Sequence, residues 1–337
     1  MTEQAKEALD ALNARLAKKY KKNIPFLKPA SELPSIEWIP TGILALDWVN
    51  GGGGPRGRVE QIVGAKSTGK TSIVLRRIAE AQRNGLVAAY VDVEHSLDKL
   101  WAAKLGVDLD SLLLYVPENY DSAETTLDVV IDMLKLGNID VIALDSVTAL
   151  CPRATLEDSM EDKHYGGNAA VLSQFFDKII GPGILANSGT NLILINQPRD
   201  VIGARFHTER IPGGKSLAHN SSIITYTRDG DYILDSPGKD AVKIGKEIRL
   251  INAKNKCRFP YRESTASLYF TSGFNPLFDV LQFAEKYGLI ELSGTWGYYN
   301  GEQMGQGRAQ QAQWLLEHRE VYAALKTHIR DLILGGK

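Results

Sequence analysis

The sequence predicts an α/β fold in which helices flank a mostly parallel sheet, and two observations support this prediction. Residues 64–71 place two glycines, a lysine and a threonine at the spacing of a phosphate-binding loop. Residues 86–91, 139–144 and 190–195 are largely apolar runs. Such runs are typical of parallel strands that are buried on both faces.

The phosphate-binding pattern lies in a suitable local context. A strand is predicted at 59–63 and a helix at 71–83, so backbone N–H groups can surround a polyphosphate at a helix N-terminus. We expect Lys70 to reach the β and γ phosphates and Thr71 to hold Mg²⁺. The alternative is a glycine-rich turn that matches by chance, and the flanking strand and helix argue against it. The expected nucleotide-binding residues here are Gly64, Ala65, Lys66, Ser67, Thr68, Gly69, Lys70, Thr71 and Ser72.

Acidic residues follow two of the predicted strands. Glu94 comes shortly after the run at 86–91, and Asp145 follows the run at 139–144. In open α/β sheets this edge is where ligands bind. A carboxylate at the position of Glu94 is placed to orient water, and Asp145 matches a Walker B acid beside Mg²⁺. The alternative for Asp145 is a cap on the next helix.

Length, charge and cysteine content limit the possible functions. The chain has 337 residues, enough for one large domain and a smaller one. Its net charge of −1 gives no overall basic field, so a nucleic-acid site must be a local patch. Two cysteines are too few for a disulfide framework. No apolar run reaches membrane-spanning length, and we expect a cytoplasmic protein without a membrane partner.

The chain divides into three predicted regions. Residues 1–34 hold an amphipathic helix at 3–22 and a linker broken by prolines. This helix either folds back on its own domain or packs on a neighbouring subunit. Residues 35–272 hold the core, and 273–337 form a small C-terminal domain of mixed helices and strands.

Two long polar segments interrupt the core. They cover about 154–167 and 198–214, and loops of this length inside compact domains are usually functional or disordered. The second segment carries Arg199, Arg205, His207 and Arg210, and Lys215 comes just after it. Farther along, strand signals at 223–227 and 232–234 flank a turn-like segment and predict a hairpin.

Motifs along the chain resemble those of the RecA recombinases, which are ATP-dependent DNA strand-exchange proteins. The resemblance covers about residues 3–334, and several independent motifs in the family's order are more specific than any one alone. They are Thr41-Gly42, Pro55-Arg56-Gly57-Arg58, the phosphate-binding loop, Glu94-His95-Ser96-Leu97-Asp98, Lys104-Leu105-Gly106-Val107-Asp108, Asp145-Ser146-Val147, Asn196-Gln197, Gly213-Gly214, Lys254-Asn255-Lys256 and Gly305-Gln306-Gly307.

The resemblance implies a RecA-like P-loop core with an N-terminal helix arm and a small α/β C-terminal domain. It implies ATP and Mg²⁺ as cofactors and a helical filament on single-stranded DNA. ATP hydrolysis would occur at protomer interfaces, and the filament would pair and exchange strands with double-stranded DNA.

The resemblance also implies roles for individual residues. Glu94 would be the general base, Gln197 the sensor of the γ-phosphate, and Lys254 and Lys256 cations that reach the nucleotide of the adjacent protomer. With Lys70 these form the expected catalytic set. Asp98 and Trp101 would bind adenine, although a tryptophan there is also suited to the core. The implied DNA-binding residues are Tyr165, Gly166, Ser173, Arg199, Ile202, Arg205, Phe206, Arg210, Gly213, Gly214 and Lys215.

This chain departs from the family pattern at several positions. Ala65-Lys66 stands where the family has Pro-Glu in the phosphate-binding loop, and Ala170 and Asp177 stand where it carries arginines near DNA. Two other classes of function share part of this pattern. A ring-forming RecA-like motor shares the loop and Asp145, but the arm and the two lysines favour a filament. A small-molecule kinase leaves the two polar segments unexplained.

Overall fold

The computed structural model describes residues 2–21, 27–118, 121–157, 167–200, 209–236, 238 and 240–335. Tyr165, Gly166, Ile202, Arg205 and Phe206 lie outside the described residues. The chain divides into two compact units, Met1–Glu37 and Trp38–Lys337. In the described part of the chain, no helix is both long and apolar enough to span a bilayer.

The elements are numbered in chain order. The helices are α1 (Glu3–Tyr20), α2 (Leu44–Asn50), α3 (Lys70–Arg83), α4 (Lys99–Lys104), α5 (Ala123–Leu136), α6 (Arg153–Glu157), α7 (Gly167–Ile180), α8 (Ile184–Ser188), α9 (Gly214–Asn220), α10 (Pro276–Lys286), α11 (Gly307–Glu317) and α12 (Arg319–Leu334). The strands are β1 (Trp38–Ile39), β2 (Gly54–Pro55), β3 (Arg58–Gly64), β4 (Ala88–Asp92), β5 (Leu113–Tyr115), β6 (Val141–Asp145), β7 (Asn191–Asn196), β8 (Arg199–Asp200), β9 (Glu209–Arg210), β10 (Ile223–Leu234), β11 (Lys243–Asn255), β12 (Glu263–Tyr269), β13 (Gly273–Phe274), β14 (Glu291–Ser293), β15 (Trp296–Tyr299) and β16 (Glu302–Gln306).

The first unit consists of α1 and the segment that follows it. Thr2 caps the helix by accepting a hydrogen bond from the backbone N–H of Ala5 at 3.4 Å. The side-chain amide of Asn13 exchanges two hydrogen bonds with the backbone of Leu27, at 2.8 and 2.9 Å. None of the residues of α1 is buried. The apolar face of the helix is therefore only partly covered: Leu9, Leu12 and Leu16 are half-buried, whereas Ala5 and Ala8 are exposed.

A sheet of nine strands forms the centre of the second unit and confirms the predicted fold class. Its order is β13-β12-β11-β10-β3-β7-β6-β4-β5. Six strands from β10 to β5 run parallel, and β11, β12 and β13 extend the sheet as antiparallel strands. A separate small antiparallel sheet, β14-β15-β16, belongs to the C-terminal region. The carboxyl ends of β3, β4, β6 and β7 meet at one edge, because parallel strands share their direction.

The predicted hairpin at 223–234 is wrong. This segment is the single strand β10, which pairs with β11 from Ile223↔Asn255 to Leu234↔Lys243. The turn-like residues instead form an irregularity between Asp229 and Tyr232. A bulge accommodates extra residues without ending a strand. The long ladder to β11 therefore overrides the local turn signal.

The two polar segments contain more regular structure than the sequence predicts. A short helix, α6, occupies Arg153–Glu157, which corrects the expected loop at its beginning. The backbone N–H of Arg153 donates to the Glu124 carboxylate at 2.9 Å, and Pro152 O accepts from the backbone of Thr155 and Leu156. In the second segment β8 pairs with β9. The start of α9 at Gly214 closes that segment.

A buried ion pair joins the strand and the helix on either side of the phosphate-binding loop. The guanidinium of Arg77 on α3 donates to both carboxylate oxygens of Glu60 on β3, each at 2.8 Å. Their side chains are 4% and 0% exposed. Asn50 and Asn191 complete the network at 2.8 and 2.7 Å. A buried pair of this kind is sustained only when its remaining donors and acceptors find partners.

Two buried carboxyl groups lie where the C-terminal region packs on the core. Asp279 of α10 accepts a hydrogen bond from the backbone N–H of Leu44 at 3.1 Å, so it helps to cap α2. Asp47 accepts from the backbone and the hydroxyl of Thr41, at 2.9 and 2.6 Å. Burial raises the pKa of Asp279 to about 7 and the pKa of Asp47 to about 6.

These raised pKa values make stability depend on pH. Asp279 ionises at lower pH in the unfolded chain, so the folded state binds more protons between about pH 4 and about pH 7, and stability falls as pH rises through this window. We expect Asp279→Asn to remove much of this fall, since an amide stays neutral and still accepts from Leu44. Urea unfolding across this range would measure it, with the exposed Asp240→Asn as control. An unchanged pH dependence in Asp279→Asn would contradict the assignment.

Candidate nucleotide-binding and catalytic site

A cavity of about 610 Å³ lies at the carboxyl edge of the sheet. It collects side chains from the phosphate-binding loop, from the ends of β4, β6 and β7, and from β10, β11 and β12 on the other side of β3. Its lining residues are Lys66, Ser67, Gly69, Lys70, Thr71, Ser72, Glu94, Trp101, Asp145, Gln197, Tyr232, Lys246, Leu268 and Phe270.

The phosphate-binding loop is shaped by left-handed backbone and close packing. Gly69 has φ of 80°, and a Cβ there would come within 2.3 Å of Ile248 Cδ1. Ser67 also has a positive φ, of 66°. Thr68 fixes the loop from outside through a hydroxyl contact of 2.7 Å with Thr227 on β10. Only glycine satisfies both requirements at position 69.

Lys70 points back into this loop. Its ammonium donates to the backbone carbonyl of Ala65 at 2.7 Å, and burial lowers its pKa, while nearby Asp145 and Glu94 oppose that effect. A cation within a ring of backbone groups fits the terminal phosphates of a nucleotide. The loop therefore has the shape and charge that a polyphosphate requires.

Asp145 lies beside the start of α3. Its Oδ2 accepts hydrogen bonds from Thr71 Oγ1 at 2.7 Å and from the Tyr90 hydroxyl at 2.8 Å. Burial raises the pKa of Asp145, and these two hydrogen bonds oppose the increase. A hydroxyl and a carboxylate are oxygen ligands of the type that Mg²⁺ prefers. Among the described residues there is no group of three or more His, Cys, Asp or Glu that could hold a metal ion.

Glu94 and Gln197 meet at the carboxyl ends of β4 and β7. Gln197 Nε2 donates to Glu94 Oε1 at 3.1 Å, and the Ser146 hydroxyl donates to the same oxygen at 2.5 Å. The fold thus brings together two residues that are 103 positions apart in the chain. Sequence reasoning did not single out Ser146 as a partner of Glu94.

The apolar end of the cavity holds Trp101, Leu268 and Phe270. Trp101 packs partly on the hydrophobic core, and its indole N–H donates to Ser72 Oγ at 3.0 Å. Both sequence interpretations of Trp101 are thus compatible with its position. Asp98 instead caps α4, accepting from the backbone of Leu100 and Trp101 at 2.8 and 3.1 Å. It is not among the lining residues.

Sequence reasoning missed four lining residues, and they come from β10, β11, β12 and the residue that follows β12. They are Tyr232, Lys246, Leu268 and Phe270. No local motif marks them, because they reach the cavity only through the pairing of β10, β11 and β12 beside β3.

Lys254 and Lys256 lie away from the residues that line the cavity. Lys254 Nζ donates to the carbonyls of Ala218 and His219 at 2.5 and 3.0 Å, and Lys256 Nζ donates to that of His219 at 2.9 Å. Burial and repulsion by Lys256 lower the pKa of Lys254. The two cations thus lie at the C-terminal end of α9, where carbonyl groups favour positive charge.

The described part of the predicted DNA-binding set lies near α7 and α9. Ser173 is half-buried on α7, whereas Arg199 and Lys215 are exposed. Gly213 and Gly214 have φ of 96° and 75°. For Arg210 the structure describes only the backbone, within β9. Their contacts with DNA stay predictions.

A parallel sheet in which β3 leads through a phosphate-binding loop into α3, with acids near the ends of two other strands, defines a P-loop NTPase. The family model described as RecA N-terminal domain matches residues 7–275, and that described as RecA C-terminal domain matches residues 278–334.

Curated relatives cover nearly the whole chain. A protein named RecA from Oceanobacillus iheyensis is 38% identical over 97% of this chain and 92% of its own length. RecA proteins from Colwellia psychrerythraea and Thermus thermophilus are each 38% identical, over 99% and 98% of this chain and 95% and 96% of their own lengths. The chain belongs to the RecA family of recombinases, which are DNA-dependent ATPases.

The contacts of Glu94 lead to a prediction about hydrolysis. We expect Glu94→Gln to bind ATP normally but to turn it over about 10²–10⁴-fold more slowly, because the amide cannot accept a proton from water. Steady-state phosphate release and equilibrium ATP binding would measure the two effects. The exposed Glu291→Gln is the matched control. Normal turnover in Glu94→Gln would remove Glu94 from the mechanism.

Proposed function

We propose that this recombinase binds ATP with Mg²⁺, assembles as a helical filament on single-stranded DNA, and exchanges strands with homologous double-stranded DNA. One observation carries the proposal furthest. The hydrogen bond from Gln197 to Glu94 joins the candidate base to the residue that leads directly into the second polar segment. A change in that segment can therefore reach the catalytic carboxylate through a single side chain.

Each residue of the cavity would have a distinct role. Lys70 and the loop N–H groups would bind the phosphates, and Thr71 and Asp145 would hold the metal ion, which would neutralise phosphate charge. Glu94 would accept a proton from water, while Ser146 and Gln197 orient its carboxylate.

The base of the nucleotide would occupy the apolar end of the cavity. Trp101 and Phe270 both line it, and aromatic faces bind a purine by stacking. Asp98 lies at the start of α4 beside Trp101, and its caps leave one carboxylate oxygen for the exocyclic amine.

DNA would bind along the two polar segments. Arg199 and Lys215 would contact phosphates, and the left-handed Gly213 and Gly214 let backbone N–H groups approach them closely. Tyr165, Ile202 and Phe206 would lie between bases, with Arg205 and Arg210 adding charge. Because DNA is the partner, we place the protein in the cytoplasm.

Self-association would complete the catalytic site. Lys254 and Lys256 do not line the cavity of their own chain, and Lys70 already supplies a cation there. They would act like arginine fingers on the nucleotide of the adjacent protomer. The apolar face of α1, in which no residue is fully buried, supports an arm that packs on a neighbouring subunit.

Strand exchange tests the proposed function directly. We expect the protein, ATP and Mg²⁺ to convert circular single-stranded DNA and homologous linear duplex into a nicked circle, and to show helical filaments by electron microscopy. Lys70→Ala, which lacks the phosphate-binding cation, serves as the inactive control. Rings around DNA, without joint molecules, would instead support a motor.

The trans arrangement can be tested by mixing two inactive variants. Lys70→Ala subunits keep both trans lysines, and Lys254→Ala/Lys256→Ala subunits keep the phosphate-binding loop. In a random equal mixture about a quarter of the interfaces pair an intact loop with intact lysines, since a head-to-tail interface takes one side from each subunit. We therefore expect about a quarter of the wild-type DNA-stimulated ATPase rate. Mixed filaments that stay inactive would show that the lysines do not act in trans.

A further inference from the structure

Lys246 of β11 reaches the phosphate-binding loop from the antiparallel part of the sheet. Its ammonium donates to the backbone carbonyl of Ser67 and forms an ion pair with Asp229 Oδ1 at 2.6 Å. The Lys246 side chain is only 12% exposed, whereas that of Asp229 is 58% exposed. The cation is therefore held inside the cavity, and its acidic partner faces solvent.

The strand that carries Lys246 is fixed against the loop. Ile248, two residues farther along β11, packs on Gly69, and Thr227 of the paired strand β10 contacts Thr68. Lys246 lines the same cavity as Lys66 and Lys70. Its position beside the loop is thus set by strand pairing and does not depend on the ion pair with Asp229.

We propose that Lys246 is a phosphate-binding residue of this chain's own nucleotide site. This inference rests on the proposed binding of ATP and adds a cation from β11 to those of the loop. An ammonium has three N–H donors, and the described contacts of Lys246 use two of them. The remaining donor, in a cavity that also holds Lys66 and Lys70, is available to a phosphate oxygen.

The ion pair with Asp229 is of the kind that a phosphate can replace. An exposed carboxylate is screened by water and contributes little to stability, whereas a polyphosphate brings more negative charge into a less hydrated cavity. Asp229 would then compete with the nucleotide for Lys246. If the Lys246–Asp229 ion pair only tied β11 to the loop, breaking it would loosen the loop and weaken ATP binding. If Asp229 competes with the nucleotide, breaking it would instead tighten ATP binding.

Binding measurements on four variants separate these cases. We expect Lys246→Met, which keeps the aliphatic stem, to weaken ATP and ADP binding about tenfold, as loss of a charge-assisted hydrogen bond implies. AMP binding should change little. Asp229→Asn should tighten ATP binding in the wild-type background. In the Lys246→Met background the same substitution should leave ATP affinity unchanged. Arg249→Met is the control, because Arg249 is also a cation of β11 but pairs with Glu263 and does not line the cavity.

The outcomes can be distinguished. Weaker ATP binding in Asp229→Asn, or unchanged ATP binding in Lys246→Met, would overturn the inference. If thermal melting shows that Lys246→Met does not fold, Asp229→Asn and the charge-conserving Lys246→Arg test the role of Lys246 instead. We expect Lys246→Arg to keep the ATP affinity of the wild type. Failure of the wild-type protein to bind ATP with Mg²⁺ would reject the proposed function itself. Normal wild-type binding with an unaffected Lys246→Met would reject only the role of Lys246.

Discussion

The bidentate contact between Arg77 and Glu60 constrains the whole nucleotide site. It joins α3 to β3 beneath the loop that connects them, and both side chains are almost completely buried. Removing one partner would leave an uncompensated charge in the interior, which is costly. The angle between strand and helix is thereby fixed, and with it the direction in which the loop N–H groups point. Asn50 and Asn191 extend the constraint to α2 and β7.

The loop is also held by β10 and β11, on the other side of β3. Thr227 and Ile248 contact it directly, and a Cβ at position 69 would collide with Ile248. Glu94 and Asp145, which in the proposed function would act on water and metal, come from the carboxyl ends of the parallel strands. The antiparallel part of the sheet contributes Lys246 of β11 and Phe270, which follows β12, to the lining of the cavity. The site therefore depends on both parts of one sheet.

The sequence was sufficient for the parallel core and for the residues of the loop, because those signals are local. Apolar runs identify buried strands, and the position of Asp145 follows from the strand before it. Tyr232 and Lys246 could not be found in this way, since their position depends on the register between β10 and β11. The hairpin expected at 223–234 failed for the same reason: a local turn signal carries no information about a ladder formed with a distant strand. The link between Gln197 and Glu94 likewise appears only when β4 and β7 are in one sheet.

The hydrogen bond between Gln197 and Glu94 has a thermodynamic consequence. When two ligands bias one shared contact, each must change the affinity of the other by the same factor. If DNA acts on the segment after Gln197 and so changes the affinity for nucleotide, the bound nucleotide must change the affinity for DNA by the same factor. The affinity for DNA then changes each time ATP is hydrolysed, because ATP occupies the cavity before the reaction and ADP occupies it afterwards. Through the side-chain amide of Gln197, ATP hydrolysis can in this way determine when the protein releases DNA.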